Sequence, residues 1–311
     1  MKSLRELIEY WLVLVLRAAA RRLPFSAVEA LGRALGSLAF AIGVRRSLTL
    51  DHLAHAFPEK PQSERIAIAR RAYQQYGTWL PHLFWIAANS PEAVAERVRI
   101  PLDHPLWGRI CTTPGVLVLS AHFGSPELMV NSMAIVSRRS FLVVVQDQSN
   151  PSVNALIDQD RRVHGNWTVP MGSAVREVLT ALGEGAVVAL LADQSGPREG
   201  AVVRFFGRPV TSHRGAAAFS LKRDAPVVMV FTVRGPDGRY RLEFEELDRS
   251  GLSGNSEEQI QQLTERHTAV LERFVRKHPD HWLWMHKRWK HTAYLEERAR
   301  AAGRVSRPEV E

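Results

Sequence analysis

The strongest constraint on this chain is an aliphatic run that stops at a histidine. Gly115-Val-Leu-Val-Leu-Ser-Ala-His122 leads straight into Phe-Gly-Ser-Pro-Glu127. A short, unbroken aliphatic run suits a strand covered on both faces, the usual state of a strand in a parallel sheet. Ser125 stands where a helix N-cap is expected and Pro126 fits the first helical position, so the spacing predicts a helix starting there. A buried strand, a tight turn and a helix in succession suit an α/β fold. His122 is thereby placed at the carboxyl end of a buried strand, where open α/β sheets keep their ligands. Glu127 falls in the first turn of the helix, near the positive end of its dipole, which favours the ionised carboxylate. From there it is expected to fix the His122 tautomer and stabilise the imidazolium after proton abstraction. The pair is a base with an orienting acid and no nucleophile of its own, so the substrate would supply a hydroxyl.

Spacing alone is a weak signal. With 12 His and 32 acidic residues in 311, about one His-x4-acid pair arises by chance, and the chain has three. His267/Glu272 falls in a helical pattern, where five residues turn the side chains apart. His291/Glu296 falls in a charged C-terminal segment. Only His122/Glu127 has the strand-turn-helix context.

Patterning along the rest of the chain predicts one α/β domain with a mostly parallel central sheet flanked by helices, and membrane-associated helices at the N-terminus. Buried strands are expected at 116–119, 141–145, 186–192 and 227–234, with a short one at 167–170. Helices are expected at 63–88, 126–137, 151–163, 174–182, 215–222 and 257–277. Gly235-Pro-Asp-Gly238 marks a turn, and 240–247 alternates like an antiparallel edge strand. Residues 196–214 read as a Gly- and Arg-rich loop. The division expected is 1–44 for the N-terminal amphipathic helices, 45–297 for the catalytic domain and 298–311 for a frayed tail poor in apolar residues.

The N-terminal stretch Tyr10-Trp-Leu-Val-Leu-Val-Leu16 is strongly apolar but shorter than the roughly 20 residues a span needs. Glu6, Glu9, Arg17, Arg21 and Arg22 flank it, and a second stretch, 27–44, contains Glu29 and Arg33. Both read as amphipathic helices lying in a membrane interface, with arginines toward lipid phosphates; packing on the domain, or a tilted span by the first segment, stays open. The net charge of +9 favours anionic partners such as phospholipid, a phosphorylated glycolipid or an acidic carrier protein. No nucleic-acid module signature is present, and the basic residues are spread along the chain. The single cysteine, Cys111, rules out an intrachain disulfide framework. No Cys/His cluster or His-Glu-x-x-His sequence points to a metal.

Asp193 ends the strand at 186–192 much as His122 ends its own. It reads either as a site carboxylate that positions a loop or the acceptor, or as a cap; Gln194 reads as a loop hydrogen bonder. The segment His281-Trp-Leu-Trp-Met-His-Lys-Arg-Trp-Lys290 mixes rings and cations, and suits either a headgroup interface or a cap on the core.

Several blocks together resemble one family. His122 to Glu127 is similar to the His-x4-Glu box of the lysophospholipid acyltransferase superfamily. Arg45-Arg-Ser-Leu-Thr-Leu-Asp-His-Leu-Ala-His-Ala-Phe-Pro58, Leu190-Leu-Ala-Asp193-Gln194, Phe205-Phe-Gly207-Arg-Pro209 and the 281–290 segment resemble blocks of its late lipid A acyltransferases, the lauroyl/myristoyl transferases. The likeness runs from about Arg45 to Lys290. Departures are Asp51-His52, where asparagine is more usual, and His213-Arg214 before Gly215, where small or hydroxyl residues are expected.

The resemblance implies an O-acyltransferase that moves a fatty acyl group from acyl carrier protein, or from coenzyme A, to a hydroxyl of a lipid A precursor at the cytoplasmic face of the bacterial inner membrane. It implies His122 as general base with Glu127, amides near Gly124 for the oxyanion, and no metal or bound cofactor. Arg161 and Arg162, before Gly165, resemble an Arg-x3-Gly element whose arginine binds phosphate or the oxyanion; Arg204 and Arg214 flank the Phe-Phe-Gly segment as candidate phosphate holders. A phosphatidylinositol mannoside, an ornithine lipid or a lysophospholipid remain alternative acceptors. A serine esterase is disfavoured because no Gly-x-Ser-x-Gly elbow is present; a non-enzymatic membrane-binding protein is the remaining alternative.

Overall fold

Residues 116–120 are buried along their whole length, because the strand they form has strands on both sides and helices on both faces. The computed structural model that gives this arrangement describes residues 3–301. Five helices come first: α1 (Leu4–Ala20), α2 (Phe25–Ala41), α3 (Arg46–Ala56), α4 (Gln62–Gly77) and α5 (Trp79–Ile86). A short α6 (Pro91–Ala95), the two-residue β1 (Val98–Arg99) and α7 (Pro105–Thr112) lead into the alternating part of the chain. There β2 (Val116–Ser120), α8 (Pro126–Ser137), β3 (Phe141–Val145), α9 (Pro151–Arg161), β4 (Trp167–Pro170), α10 (Ala174–Gly183) and β5 (Val187–Leu191) follow in turn. A hairpin of β6 (Ala201–Phe205) and β7 (Arg208–Ser212) precedes α11 (Gly215–Arg223), β8 (Val227–Arg234), β9 (Tyr240–Glu246), α12 (Glu257–Lys277) and α13 (Thr292–Ala301).

The main sheet has seven strands in the order β1-β9-β8-β2-β5-β3-β4, and every pairing except β8 with β9 is parallel. Alternate residues of the central strands feed two cores. Leu117, Leu119, Leu142, Val188, Met229 and Phe231 pack on one face with residues of α3, α4, α10 and α12. Val116, Val118, Phe141, Val187, Ala189, Val228 and Val230 pack on the other with residues of α5, α7 and α8. This is the expected α/β domain with a mostly parallel sheet between helices.

Four local expectations change. The helix at 63–88 is two helices, broken at Thr78 because Pro81 has no N–H for the Gly77 carbonyl four residues back; before the break α4 lies against α2 at backbone contact. A methyl group on Gly36 would sit 2.0 Å from the Tyr73 carbonyl oxygen, and one on Gly77 would sit 2.2 Å from that of Gly32. The loop at 196–214 contains the β6–β7 hairpin. Its two-residue turn, Phe206-Gly207, has positive φ at both positions (50° and 76°), the backbone a tight hairpin needs. Strand β9 is antiparallel to β8 as expected but is not an edge, since β1 pairs outside it. Residues 298–301 continue α13 rather than fraying, and 302–311 lie outside the described residues.

Helix α1 is tied down by a charged fork: Arg17 Nε and Nη2 donate to the two oxygens of buried Asp160 on α9 at 2.7 and 2.6 Å. Its outer side carries Leu4, Ile8, Trp11, Leu12 and Val15, all more than half exposed, at helical spacing on one face. Among the described residues no single helix is long and apolar enough to cross a membrane; α2 and α3 pass that test only together, with a 92° bend between them.

Candidate active site

Strand β2 ends at Ser120 and the chain crosses five residues, 121–125, before α8. Ser120 and Leu191 are register partners on the neighbouring parallel strands β2 and β5, so His122 and Asp193 each lie two residues beyond that pair. The geometry puts them face to face. His122 Nδ1 is 2.8 Å from Asp193 Oδ1, and Asp193 Oδ2 accepts the Trp282 indole N–H at 2.9 Å. Burial alone would push the Asp193 carboxyl up. The His122 ring, its hydrogen bonds and that of Trp282 outweigh burial and hold it at about 2. An ionised carboxylate only accepts, so His122 carries its proton on Nδ1 when neutral, and Nε2 bears the lone pair. Gln194 Nε2 lies 3.3 Å from that Nε2. The His122 side chain keeps 21% of its surface exposed.

The expected partner of His122 was Glu127, and this is corrected. Glu127 Oε1 instead accepts from Arg161 Nε and Nη2 at 2.9 and 2.7 Å. The first turn of α8 offers Glu127 to the end of α9, where a guanidinium fork gives two charge-assisted bonds. The strand-end carboxylate already occupies the ring. Arg161 thus joins the neighbourhood of the reacting loop. Arg162 does not: it is bound to Asp158 at 3.0 Å and to Thr168, half exposed on the far side of the turn.

Gly124 has φ +59°, and a Cβ there would meet the Thr232 carbonyl oxygen at 1.9 Å, so only glycine fits. Its N–H donates to the His281 carbonyl at 2.8 Å, and its carbonyl accepts the Trp79 indole N–H. Of the amides near Gly124 expected to hold an oxyanion, that of Gly124 itself is already used. Arg204 closes the β6–β7 turn on the Gly207 carbonyl at 2.8 Å, and Arg214 pairs with Glu257 on the surface. Neither is brought to His122.

Of the other groups at the site, Trp79 carried no local signal in the sequence, and the 281–290 segment was visible only as a mix of rings and cations. Trp79 stacks on the His122 ring, with centroids 5.6 Å apart and planes 23° from parallel. The 281–290 segment runs back across the loop after β2 as a strap built of tight turns. Phe123 bridges Trp282, and Leu283 N donates to the His122 carbonyl at 3.0 Å. Trp282 and Trp284 are 1% exposed, so the strap's first two tryptophans pack inward. Arg288, also buried, donates to the Gln194 and Thr211 carbonyls at 3.2 and 2.6 Å and to Ser212 Oγ at 2.6 Å, anchoring the turn after Asp193 to the hairpin. His286 Nε2 accepts from Ser195 N at 3.1 Å, and burial brings its ring down to about 4. Phe205 and Phe206 pack with Trp282, Trp284 and Trp289 in the core.

Comparison with known proteins places the chain in a family. A profile of the family described as bacterial lipid A biosynthesis acyltransferases matches residues 1–291. The lipid A biosynthesis lauroyltransferase of Escherichia coli (strain K12) is 23% identical over 275 residues, covering 86% of this chain and 87% of its own length. With a strand-end histidine, its buried acid and a match over almost the entire length, the chain belongs to the bacterial lipid A biosynthesis acyltransferase family and is an acyltransferase.

Proposed function

We propose that this acyltransferase moves a fatty acyl group from a carrier thioester to a hydroxyl of a lipid A precursor, with His122 as general base and Asp193 as the carboxylate that orients it. The observation that carries this reading is the His122–Asp193 pair at the carboxyl end of the parallel sheet, with Nδ1 held by the carboxylate and the Nε2 lone pair met only by the Gln194 amide among the described residues. An acceptor hydroxyl takes the place of the Gln194 amide at Nε2. As Nε2 takes the proton, the hydroxyl oxygen attacks the thioester carbonyl. The tetrahedral intermediate collapses, the C–S bond breaks, and the imidazolium returns its proton to the leaving thiolate. Buried, ionised Asp193 stabilises the imidazolium in between. Glu127 anchors Arg161, whose remaining N–H groups are left to bind a substrate phosphate or the oxyanion.

The exposed apolar face of α1 supports the further reading that the enzyme lies on the cytoplasmic surface of the inner membrane, where its lipid acceptor resides. The positive net charge suits docking of an acidic acyl carrier protein.

The test is acyl transfer in detergent micelles, with wild type and His122→Ala each offered acyl-carrier-protein or acyl-CoA thioesters and lipid A precursor, and products read by mass spectrometry. One acyl mass increment with wild type only supports the reading, and the thioester used identifies the donor. Intact thioester and no increment would overturn it as to acceptor; thioester loss without transfer would mark a hydrolase.

A further inference from the structure

A second histidine–carboxylate pair lies on the opposite side of the reacting loop. His82, on α5, is fully buried. Its Nε2 is 2.7 Å from Glu29 Oε1 and its Nδ1 is 2.9 Å from Ser125 Oγ. Glu29 belongs to α2, outside the α/β part of the chain, and is itself 5% exposed. The Glu29 carboxylate also accepts the Tyr240 hydroxyl and Arg234 Nε, each at 2.7 Å, so groups from α5, β8 and β9 converge on it. Burial pushes the carboxyl up, but the His82, Tyr240 and Arg234 contacts outweigh it and hold Glu29 at about 2. Because ionised Glu29 only accepts, His82 carries a proton on Nε2, and in the neutral ring the Ser125 hydroxyl donates to Nδ1.

Ser125 stands at the N-cap position of α8, yet its hydroxyl makes no capping bond. The expected cap is given up for the bond to His82. One turn earlier on α5, Trp79 stacks on His122 and bonds to the Gly124 carbonyl. One helix thus grips the loop at His122, Gly124 and Ser125, and it is fixed in rotation from behind by Glu29.

We propose that Glu29 and His82 are positioning residues of the transfer reaction: the buried chain Glu29–His82–Ser125 sets the loop that presents His122. The proposal rests on the reading of His122 as the base. Neither group reaches the reacting atoms; each acts through the backbone of residues 122–125. Hydrogen bonds in a dry network strengthen one another, so breaking the chain at either end has the same consequence at the loop.

The experiment is a double-mutant cycle in the full chain with Ser125→Ala, Glu29→Gln and the pair, combined with amide hydrogen exchange. Each single variant is expected to lower kcat about tenfold while KM stays within about twofold, and the pair to be no worse than the poorer single. Exchange over residues 121–128 should rise in both, while that of the β6–β7 hairpin stays put. Ser125→Ala removes one oxygen and keeps the fold testable should Glu29→Gln unfold. A Ser125→Ala kcat within about twofold of wild type, losses that multiply in the pair, or unchanged exchange over 121–128 would overturn the proposal. If wild type itself transfers nothing, the reading of the reaction fails and the exchange data alone decide the positioning chain.

Discussion

Asp193 Oδ1 lies 2.8 Å from His122 Nδ1, reached from the neighbouring strand and not from the helix that follows the histidine. The two carboxylates near the reacting loop therefore have separate partners, Asp193 the ring and Glu127 the Arg161 fork. Mutating them separates the two arrangements.

Asp193→Asn is expected to lower kcat about a thousandfold, because an amide in that place no longer enforces the Nδ1–H tautomer or stabilises the imidazolium. His122→Ala and Glu127→Ala should abolish transfer, the first by removing the base and the second by leaving Arg161 unpaired beside the substrate. Steady-state transfer with circular dichroism on each variant checks all three, and Asp193→Asn at wild-type rate would sink the pairing.

Acid should unfold the protein in two stages. His267 and His286 are held by burial at about 3 and about 4, against an ordinary 6.5. The unfolded chain then binds protons that the folded one refuses, so stability falls as pH drops from 6.5 toward these values. Asp193, Glu29 and Asp280 are held at about 2, against 3.8 for the aspartates and 4.5 for the glutamate. Their contribution is present above the ordinary values and is lost between these and about 2. The His267 Nε2 is buried without a partner among the described residues, so His267→Leu should flatten the Tm-versus-pH slope between 6.5 and 4.

Arg288→Met should lower stability by about 2–4 kcal/mol, since the Gln194 and Thr211 carbonyls and Ser212 Oγ lose their donor in a dry site. Urea unfolding in micelles reads the loss. Activity should fall with it, because the same cation steadies the turn after Asp193.

Trp11→Asp on the exposed face of α1 should weaken partition onto anionic vesicles at least about tenfold, given the ~2 kcal/mol typical of burying one large apolar side chain. Vesicle flotation measures it, and transfer in detergent should be unaffected.

The sequence made the secondary structure of the α/β part largely legible, because strands such as Phe141–Val145 and helices such as Pro126–Ser137 carry continuous local patterns. The β6–β7 hairpin was hidden by its turn. Phe206-Gly207 lacks the Asn-Gly signature, although Val203 and Phe205 point inward and Val202 and Arg204 outward. His122 was legible as a strand-end histidine. Its carboxylate was not, because the pairing of β2 with β5 is set by the crossover order of the sheet, which no local window contains. Trp282 and Arg288 were visible as a cluster of rings and cations, but their inward course depends on the bridge to Phe123. Trp79 and His82 lay in what read as an ordinary helix.

The strap at 281–290 is also the last part of the candidate site to be synthesised. The ring partner Asp193 is translated long before Trp282, and Gly124 long before His281. Until that late segment leaves the ribosome, the loop with its histidine lacks the His281, Trp282 and Leu283 contacts and is held from the side of Trp79 and His82. These contacts therefore form only late in synthesis, once the last strongly aromatic stretch has emerged.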